Sequence, residues 1–244
     1  MGFAGRRVWI IGASAGIGAA LARAFAAEGA RLVLSARDAG GLAALAAECG
    51  GSEVRALDLA RPETLAAAVE TLRPTGPFDA VICTAALYDP ARVRDLDPAR
   101  TAELVRVNLL GTLDVARLTP PLLRDRGQLV LFGSVAGYLG LPGGQAYSAT
   151  KAAVNNLAES LRVELAPRLD VRLVCPGFVR SRLTAKNAFR MPALIEPAEA
   201  ATEVLRGLQG RAFEIHFPKR FTLAMKLLGA LPYAISLRLT RRLG

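Results

Sequence analysis

The strongest constraint on this chain lies near its start, where Val8–Ile11, a short unbroken apolar run, passes directly into Gly12-Ala13-Ser14-Ala15-Gly16-Ile17-Gly18. An apolar run of this length fits a parallel strand buried on both faces. Beyond it, Ile17, Leu21, Ala24 and Phe25 recur at helical spacing until Gly29, a stop signal. Glycines at such a junction serve a tight turn, close approach of the backbone to a pyrophosphate, and close packing of helix on sheet. The helix start adds free N–H groups and a positive dipole end for the phosphates. Met in isolation, the pattern is also compatible with a turn that holds no ligand. Its setting between a first strand and a helix favours the phosphate loop.

The same alternation continues along the chain. Arg31–Ser35, Val54–Leu57, Phe78–Cys83, Gln128–Phe132, Val171–Cys175 and Ala212–Phe217 read as strands. Leu42–Cys49, a segment opened by Pro62, Thr101–Leu123, Tyr147–Ala166 and Pro197–Leu208 read as helices. This rhythm predicts an α/β fold: a single Rossmann-type, doubly wound parallel sheet of about seven strands with helices on both faces. No repeat, linker or shift in composition divides the chain, so residues 1–218 are expected to form one catalytic domain. Residues 219–244 are expected to be a helical extension of that domain.

Composition narrows the partners. Hydrophobic residues make up 52% of the 244, which excludes a disordered chain. The formal net charge of +10 is carried almost wholly by Arg, because Lys occurs only at 151, 186, 219 and 226. Such a balance admits anionic ligands, nucleic acid or an anionic membrane surface. The Arg residues are dispersed and no recognition motif appears, so nucleic acid is not expected. Cys49, Cys83 and Cys175 form no CxxC pair, and the first strand leaves no room for a secretory h-region. Both point to a reduced, cytoplasmic protein. His216 is the only histidine and reads as a core or edge residue; no metal site is expected.

The GxxxGxG spacing of the loop resembles that of the short-chain dehydrogenase/reductase family, whose usual motif is TGxxxGxG, with Ile11 in place of the Thr. Further matches follow in order: Asp58 after the third strand, Asn108 in Val107-Asn108-Leu109, Ser134 after the fifth strand, and Tyr147-Ser148-Ala149-Thr150-Lys151 as YxxxK. Pro176-Gly177 with Ser181 stands for PGxxxT. One motif departs: where the family usually reads NNAG, this chain reads Cys83-Thr84-Ala85-Ala86. Thr84 retains a hydroxyl and Ala86 a small side chain, which implies an altered but working loop.

The resemblance implies a nicotinamide dinucleotide cofactor. Its contacts would fall at Gly12, Ser14, Gly16, Ile17 and Gly18 of the loop, and at Arg37, Asp58, Leu59 and Ala85. The remainder would come from Tyr147, Lys151, Pro176, Gly177, Val179 and Ser181. An acid at the end of the second strand favours NAD, whereas Arg there suits the 2′-phosphate of NADP. This strand ends Leu34-Ser35-Ala36-Arg37, with Ala36 where the acid would stand, Arg37 able to grip a phosphate, and Ser35 as a nearby donor. Asp38 reads as the cap of the next helix. NADP(H) is therefore the expected cofactor, with NAD(H) as the alternative.

Tyr147 and Lys151, four apart, share one helix face. The spacing alone is weak; the resemblance gives it a role. It implies Tyr147 as acid/base on a ketone or alcohol, and Lys151 as the group that lowers the Tyr147 pKa and holds the nicotinamide ribose. Ser134 would orient the substrate oxygen, and Asn108 would maintain a water-linked proton path to Lys151. A silent dinucleotide-binding sensor is the competing reading, against which the intact Ser134, Tyr147 and Lys151 set speaks.

By the resemblance, the loop after Pro176-Gly177, which includes Ser181–Pro192, would form a lid over the substrate. Its Arg180, Arg182, Lys186 and Arg190 beside Leu183, Phe189 and Met191 fit recruitment of an anionic or amphipathic substrate, or a solvated loop. Tyr138, Leu139 and Leu141 are expected to add apolar wall, favouring a hydrophobic, lipid-like carbonyl or alcohol substrate. The tail, Lys219–Gly244, has no acid and reads as two short amphipathic helices hinged at Pro232. Its longest uncharged run is too short for the about 20 residues of a membrane span. The helices would pack on their own domain or a partner subunit, or lie on the anionic inner face of a membrane. The resemblance implies a homodimer built through Thr101–Leu123 and Tyr147–Ala166.

Overall fold

The computed structural model describes residues 2–241; residues 1 and 242–244, including the Arg242 of the expected basic tail, lie outside the described residues. Seven parallel strands form one sheet: β1 (Arg7–Ile11), β2 (Arg31–Ser35), β3 (Glu53–Val54), β4 (Phe78–Cys83), β5 (Leu123–Phe132), β6 (Asp170–Pro176) and β7 (Glu214–Phe217). Their order is β3-β2-β1-β4-β5-β6-β7. The chain therefore reverses its direction of travel across the sheet between β1 and β4. In open sheets of this kind the crevice at the carboxyl ends beside such a reversal is where ligands bind.

The strands are apolar on both faces because both are covered. Within β1, Val8 and Ile10 enter one core with Leu21 and Phe25 of helix α1 (Gly16–Ala27). Val204 and Leu208 of α7 (Pro197–Gln209) join them there. Trp9 and Ile11 enter the other, with Leu65 and Val69 of α3 (Pro62–Leu72) and Val154 and Ala158 of α6 (Gln145–Glu164). Helix α2 (Ala39–Glu48) starts where Asp38 accepts a hydrogen bond from the Gly41 N–H, and Pro62 holds the first position of α3, as their residue types predict.

The expected helix over Thr101–Leu123 is corrected in two ways. It begins earlier, as α4 (Pro98–Val105), because Asp97 caps the N–H groups of Ala99 and Arg100. It then passes through a π-helical turn, Arg106–Leu110, into α5 (Gly111–Leu118) and stops before Pro120. Leu123 already belongs to β5, which is longer than the predicted Gln128–Phe132 and carries a register irregularity against β4. β3 pairs over only two residues, short of the expected Val54–Leu57. The tail forms α8 (Lys219–Ala230) and α9 (Tyr233–Thr240), broken at Pro232 as its sequence indicates.

Candidate active site

The glycine loop is shaped by contacts that no side chain would permit. Gly12 sits at φ +95° and Gly16 at φ +55°, both left-handed. A Cβ on Gly12 would lie 2.5 Å from the Ala85 nitrogen, and one on Gly18 would run into the Gly12 carbonyl oxygen. Ala15 gives α1 no side-chain cap, and its first turn has no acid. The first N–H groups are thus left for an outside acceptor, which is the chemistry of a phosphate site. Thr84, standing in the altered motif after β4, donates from its hydroxyl toward the carbonyls of Ile11 and Gly12, each at 3.1 Å. The hydroxyl ties β4 to the start of the loop.

The loop opens into a cleft of about 1890 Å³, room for a dinucleotide together with a substrate. Its walls bring together Gly12, Ser14, Gly16, Ile17, Gly18, Arg37, Asp58, Leu59 and Ala85 with Ser134, Tyr147, Pro176, Gly177, Val179 and Ser181. These donors, the glycine cradle and the uncapped helix fit a nicotinamide dinucleotide. Arg37 is exposed on the wall, with its guanidinium 3.6 Å from Glu103. Ser35, expected as an extra donor, is fully buried below the loop and accepts a hydrogen bond from Trp9 Nε1 at 2.9 Å. It does not face the cleft because, at the end of β2, it shares the face of Val33 that packs with Trp9 in the core, whereas Arg37 lies beyond the strand.

Ser134 follows β5, its Oγ accepting from the Ala136 N–H at 3.1 Å. Tyr147, in the first turn of α6, lines the cleft together with Ser134. Burial pushes the phenol up to about 12, against the opposing pull of the Ser134 hydroxyl. The group is therefore a protonated acid at neutral pH. One turn on, Lys151 is 3% exposed and does not line the cleft. Its ammonium donates to the Phe132 carbonyl at 2.7 Å and stands 5.7 Å from the centre of the Tyr147 ring. Burial brings Lys151 down to about 8.

Asn108 occupies the π-helical turn and is buried. Its Oδ1 accepts from the Leu87 N–H at 2.7 Å and its Nδ2 donates to the Leu87 carbonyl at 2.9 Å. Nδ2 also reaches Thr150 Oγ1 at 3.3 Å. Thr150 in turn donates to the Tyr147 carbonyl at 2.8 Å. The side chain thus joins the loop after β4 to the turn of α6 that carries Tyr147.

Several site residues had no signal in the sequence. Tyr88 meets the Tyr147 ring edge-to-face, with centroids 4.9 Å apart. Its hydroxyl donates to Asn187 Oδ1 at 2.7 Å, and its carbonyl accepts from Lys186 Nζ at 2.7 Å. Two lid residues therefore pin a ring against the candidate acid; a lone Tyr in a loop gives no hint of this. Phe178, Phe221 and Met225 add apolar wall, the last two from α8, beside Phe189, which the sequence did point to. The expected wall is corrected at Tyr138 and Leu139. Leu141 lines the cleft, but the Tyr138 hydroxyl donates to Glu214, whose other oxygen is bound by Lys226. Leu139 lies beside Gly229 of α8. The half-buried Glu214 carboxylate draws the phenol away from the cleft. His216 pairs through Nδ1 with Thr222 Oγ1 at 2.6 Å, a contact between β7 and α8.

Comparison with known proteins agrees with this geometry. A match to the short chain dehydrogenase family spans residues 6–190. An uncharacterized oxidoreductase of Myxococcus xanthus (strain DK1622) is 32% identical, over 98% of this chain and 97% of that protein. Among solved structures, a short chain dehydrogenase from Burkholderia cenocepacia J2315 in complex with NADP superposes with a TM-score of 0.84 at 27% identity, covering 98% of this chain and 99% of that one. A short-chain dehydrogenase from Sphingobium yanoikuyae in complex with NADPH gives 0.79 at 29% identity, covering 94% and 97%. With a glycine cradle, a Tyr147–Ser134 pair on one cleft wall and a family match over most of its length, the chain belongs to the short-chain dehydrogenases, a family of oxidoreductases.

Proposed function

We propose that the protein interconverts a ketone or aldehyde and the corresponding alcohol with NADP(H), on a hydrophobic or lipid-like substrate. The observation that carries this reading is that Tyr147 and Ser134 both line the cleft that the glycine loop opens, with the Lys151 ammonium 5.7 Å from the centre of the Tyr147 ring. When bound, the nicotinamide supplies or accepts the hydride. The N–H groups at the start of α1 hold the pyrophosphate, and Gly12, Ser14, Gly16, Ile17 and Gly18 shape its seat. Arg37 favours the 2′-phosphate over the bare ribose; the NADP and NADPH carried by the two structural relatives support this choice. Asp58, Leu59 and Ala85 contact the adenosine side, and Pro176, Gly177, Val179 and Ser181 complete the seat.

In reduction, Ser134 fixes the carbonyl oxygen and Tyr147 gives it a proton as charge develops there. A phenol held near 12 is well stocked with that proton at neutrality. The nearby Lys151 ammonium offsets the negative charge left on the Tyr147 oxygen. In oxidation Tyr147 takes the proton back. Asn108 keeps the Tyr147 turn and the loop after β4 in register. The apolar wall of Leu141, Phe178, Phe189, Phe221 and Met225 supports a substrate of low polarity.

The same reading takes residues 1–218 as one catalytic domain with 219–244 as its extension, in a cytoplasmic homodimer with membrane contact through the tail. Three free, buried cysteines support the reducing location. Exposed Leu110, Leu113 and Val163, on the elements α4–α5 and α6, support the dimer surface.

The test is a panel of ketones and aldehydes of graded hydrophobicity with NADPH and with NADH. NADPH consumption with kcat/KM rising with apolar size is expected. Tight NADPH binding without turnover of any member would favour the sensor reading instead.

A further inference from the structure

Helix α9 is built inside out. Its buried stripe is Ser236 and Thr240, each 5% exposed, while Tyr233 is 81% and Leu237 62% exposed. Ile235 and Leu239 are exposed as well. Thr240 satisfies its own hydroxyl by donating to the Ser236 carbonyl at 3.1 Å. A helix whose only neighbour is its own domain turns its apolar side inward; this one presents that side outward. The preceding α8 seats Thr222 and Met225 and leaves Leu223 and Leu227, one turn apart, exposed.

The charges around these residues identify the occupant. Lys219, Arg220, Arg238 and Arg241 flank the apolar side chains, and none forms an ion pair among the described residues. No acid follows Glu214 in the chain, and Glu214 is taken by Lys226. A second copy meeting this face across a two-fold axis would set these cations against their equivalents. An anionic lipid surface meets both features at once, receiving apolar side chains at the acyl boundary and cations at the headgroups. No described helix is long and apolar enough to cross a membrane, so the contact is peripheral.

We propose that α8 and α9 dock the protein on an anionic bilayer beside the mouth of its cleft. The same α8 that leaves Leu223 and Leu227 outside sends Phe221 and Met225 into the cleft wall. Phe221 packs against Phe178 with ring centres 5.5 Å apart, and Phe178 against the half-exposed lid residue Phe189 at 5.7 Å. Apolar surface therefore runs from the docking helix to the lid. The lid segment 181–195 has no acid and exposes Arg182 and Arg190. Docking brings an apolar entrance to the phase where a lipid-like substrate resides, which rests on the hydrophobic-substrate reading of the cleft.

The experiment is co-sedimentation of the full chain, saturated with NADPH, with vesicles of phosphatidylcholine alone or of equal parts phosphatidylglycerol and phosphatidylcholine. Turnover of a water-soluble ketone is measured in parallel. The protein is expected to sediment with the anionic vesicles and not the neutral ones, and less so as salt is raised. The double variants Leu227→Ser/Leu237→Ser and Arg238→Gln/Arg241→Gln should each weaken binding about tenfold or more, with ketone turnover unchanged. Equal binding by wild type and both variants, or no binding to either vesicle, overturns the proposal. So does an oligomer that the Leu variant splits, which would make the face a subunit interface. Absent turnover in every protein alongside normal vesicle binding would count against the reductase reading and leave the docking intact.

Discussion

The Lys151 ammonium donates to the carbonyl of Phe132 at 2.7 Å, the last residue of β5 and two positions before Ser134. One side chain of α6 thereby fixes the strand end that presents Ser134, while its neighbour Tyr147, one turn earlier, lines the same cleft as Ser134.

Burial of that ammonium gives a pH dependence. Lys151 is held down to about 8, so its proton leaves as pH rises through that value, and with it the positive charge beside Tyr147. For ketone reduction, kcat/KM should be level through neutrality and fall above about pH 8, approaching tenfold per unit. Lys151→Met should lose the break and be slower by about 100-fold at pH 7. A wild-type profile level to pH 9.5 would contradict the role.

Arg37 stands on the cleft wall with Glu103 as its partner at 3.6 Å. Because it is largely exposed, its bond to a 2′-phosphate should be worth about 1.5 kcal/mol, near the lower end for a charge-assisted hydrogen bond. Arg37→Ala should raise the NADPH dissociation constant about tenfold and leave that of NADH unchanged, measured by fluorescence titration. An equal effect on both cofactors would remove the 2′-phosphate contact.

The Gly18 position is closed by the Gly12 carbonyl oxygen. Gly18→Ala should push the loop apart and abolish NADPH binding by calorimetry while circular dichroism still reports a folded sheet. Retained binding would show that the cradle has more slack than its contacts indicate.

Asn108 should act through structure as well as chemistry. Asn108→Ala leaves the half-buried N–H and carbonyl of Leu87 without their partners, a loss of about 1–2 kcal/mol in urea unfolding. The loop after β4 should loosen with it, raising KM for the ketone. A stability change below about 0.5 kcal/mol would mean that another group replaces the amide.

The succession of strands and helices, the helix starts at Asp38 and Pro62, and the glycine loop were legible because each follows from local chemistry: apolar runs, capping residue types, glycine at left-handed turns. The hydroxyl of Thr84 was likewise a good guide to its loop. What the residues did not announce depends on distant partners. The π-helical turn around Asn108 is held by Leu87, and the early start of β5 follows from Pro120 ending α5. Ser35 and Tyr138 were misread as cleft residues because Trp9 and Glu214, remote in sequence, take their hydroxyls. Tyr88 became visible only once the lid residues Lys186 and Asn187 were seen to clasp it.

The central claim is that Tyr147 supplies the proton. It is tested most directly by Tyr147→Phe, which removes one oxygen and keeps the ring against Tyr88. With NADPH and the best ketone of the panel, turnover should fall by about a thousandfold or more while the NADPH dissociation constant stays within about twofold of wild type. Turnover within about tenfold of wild type, at intact NADPH binding, would contradict the account.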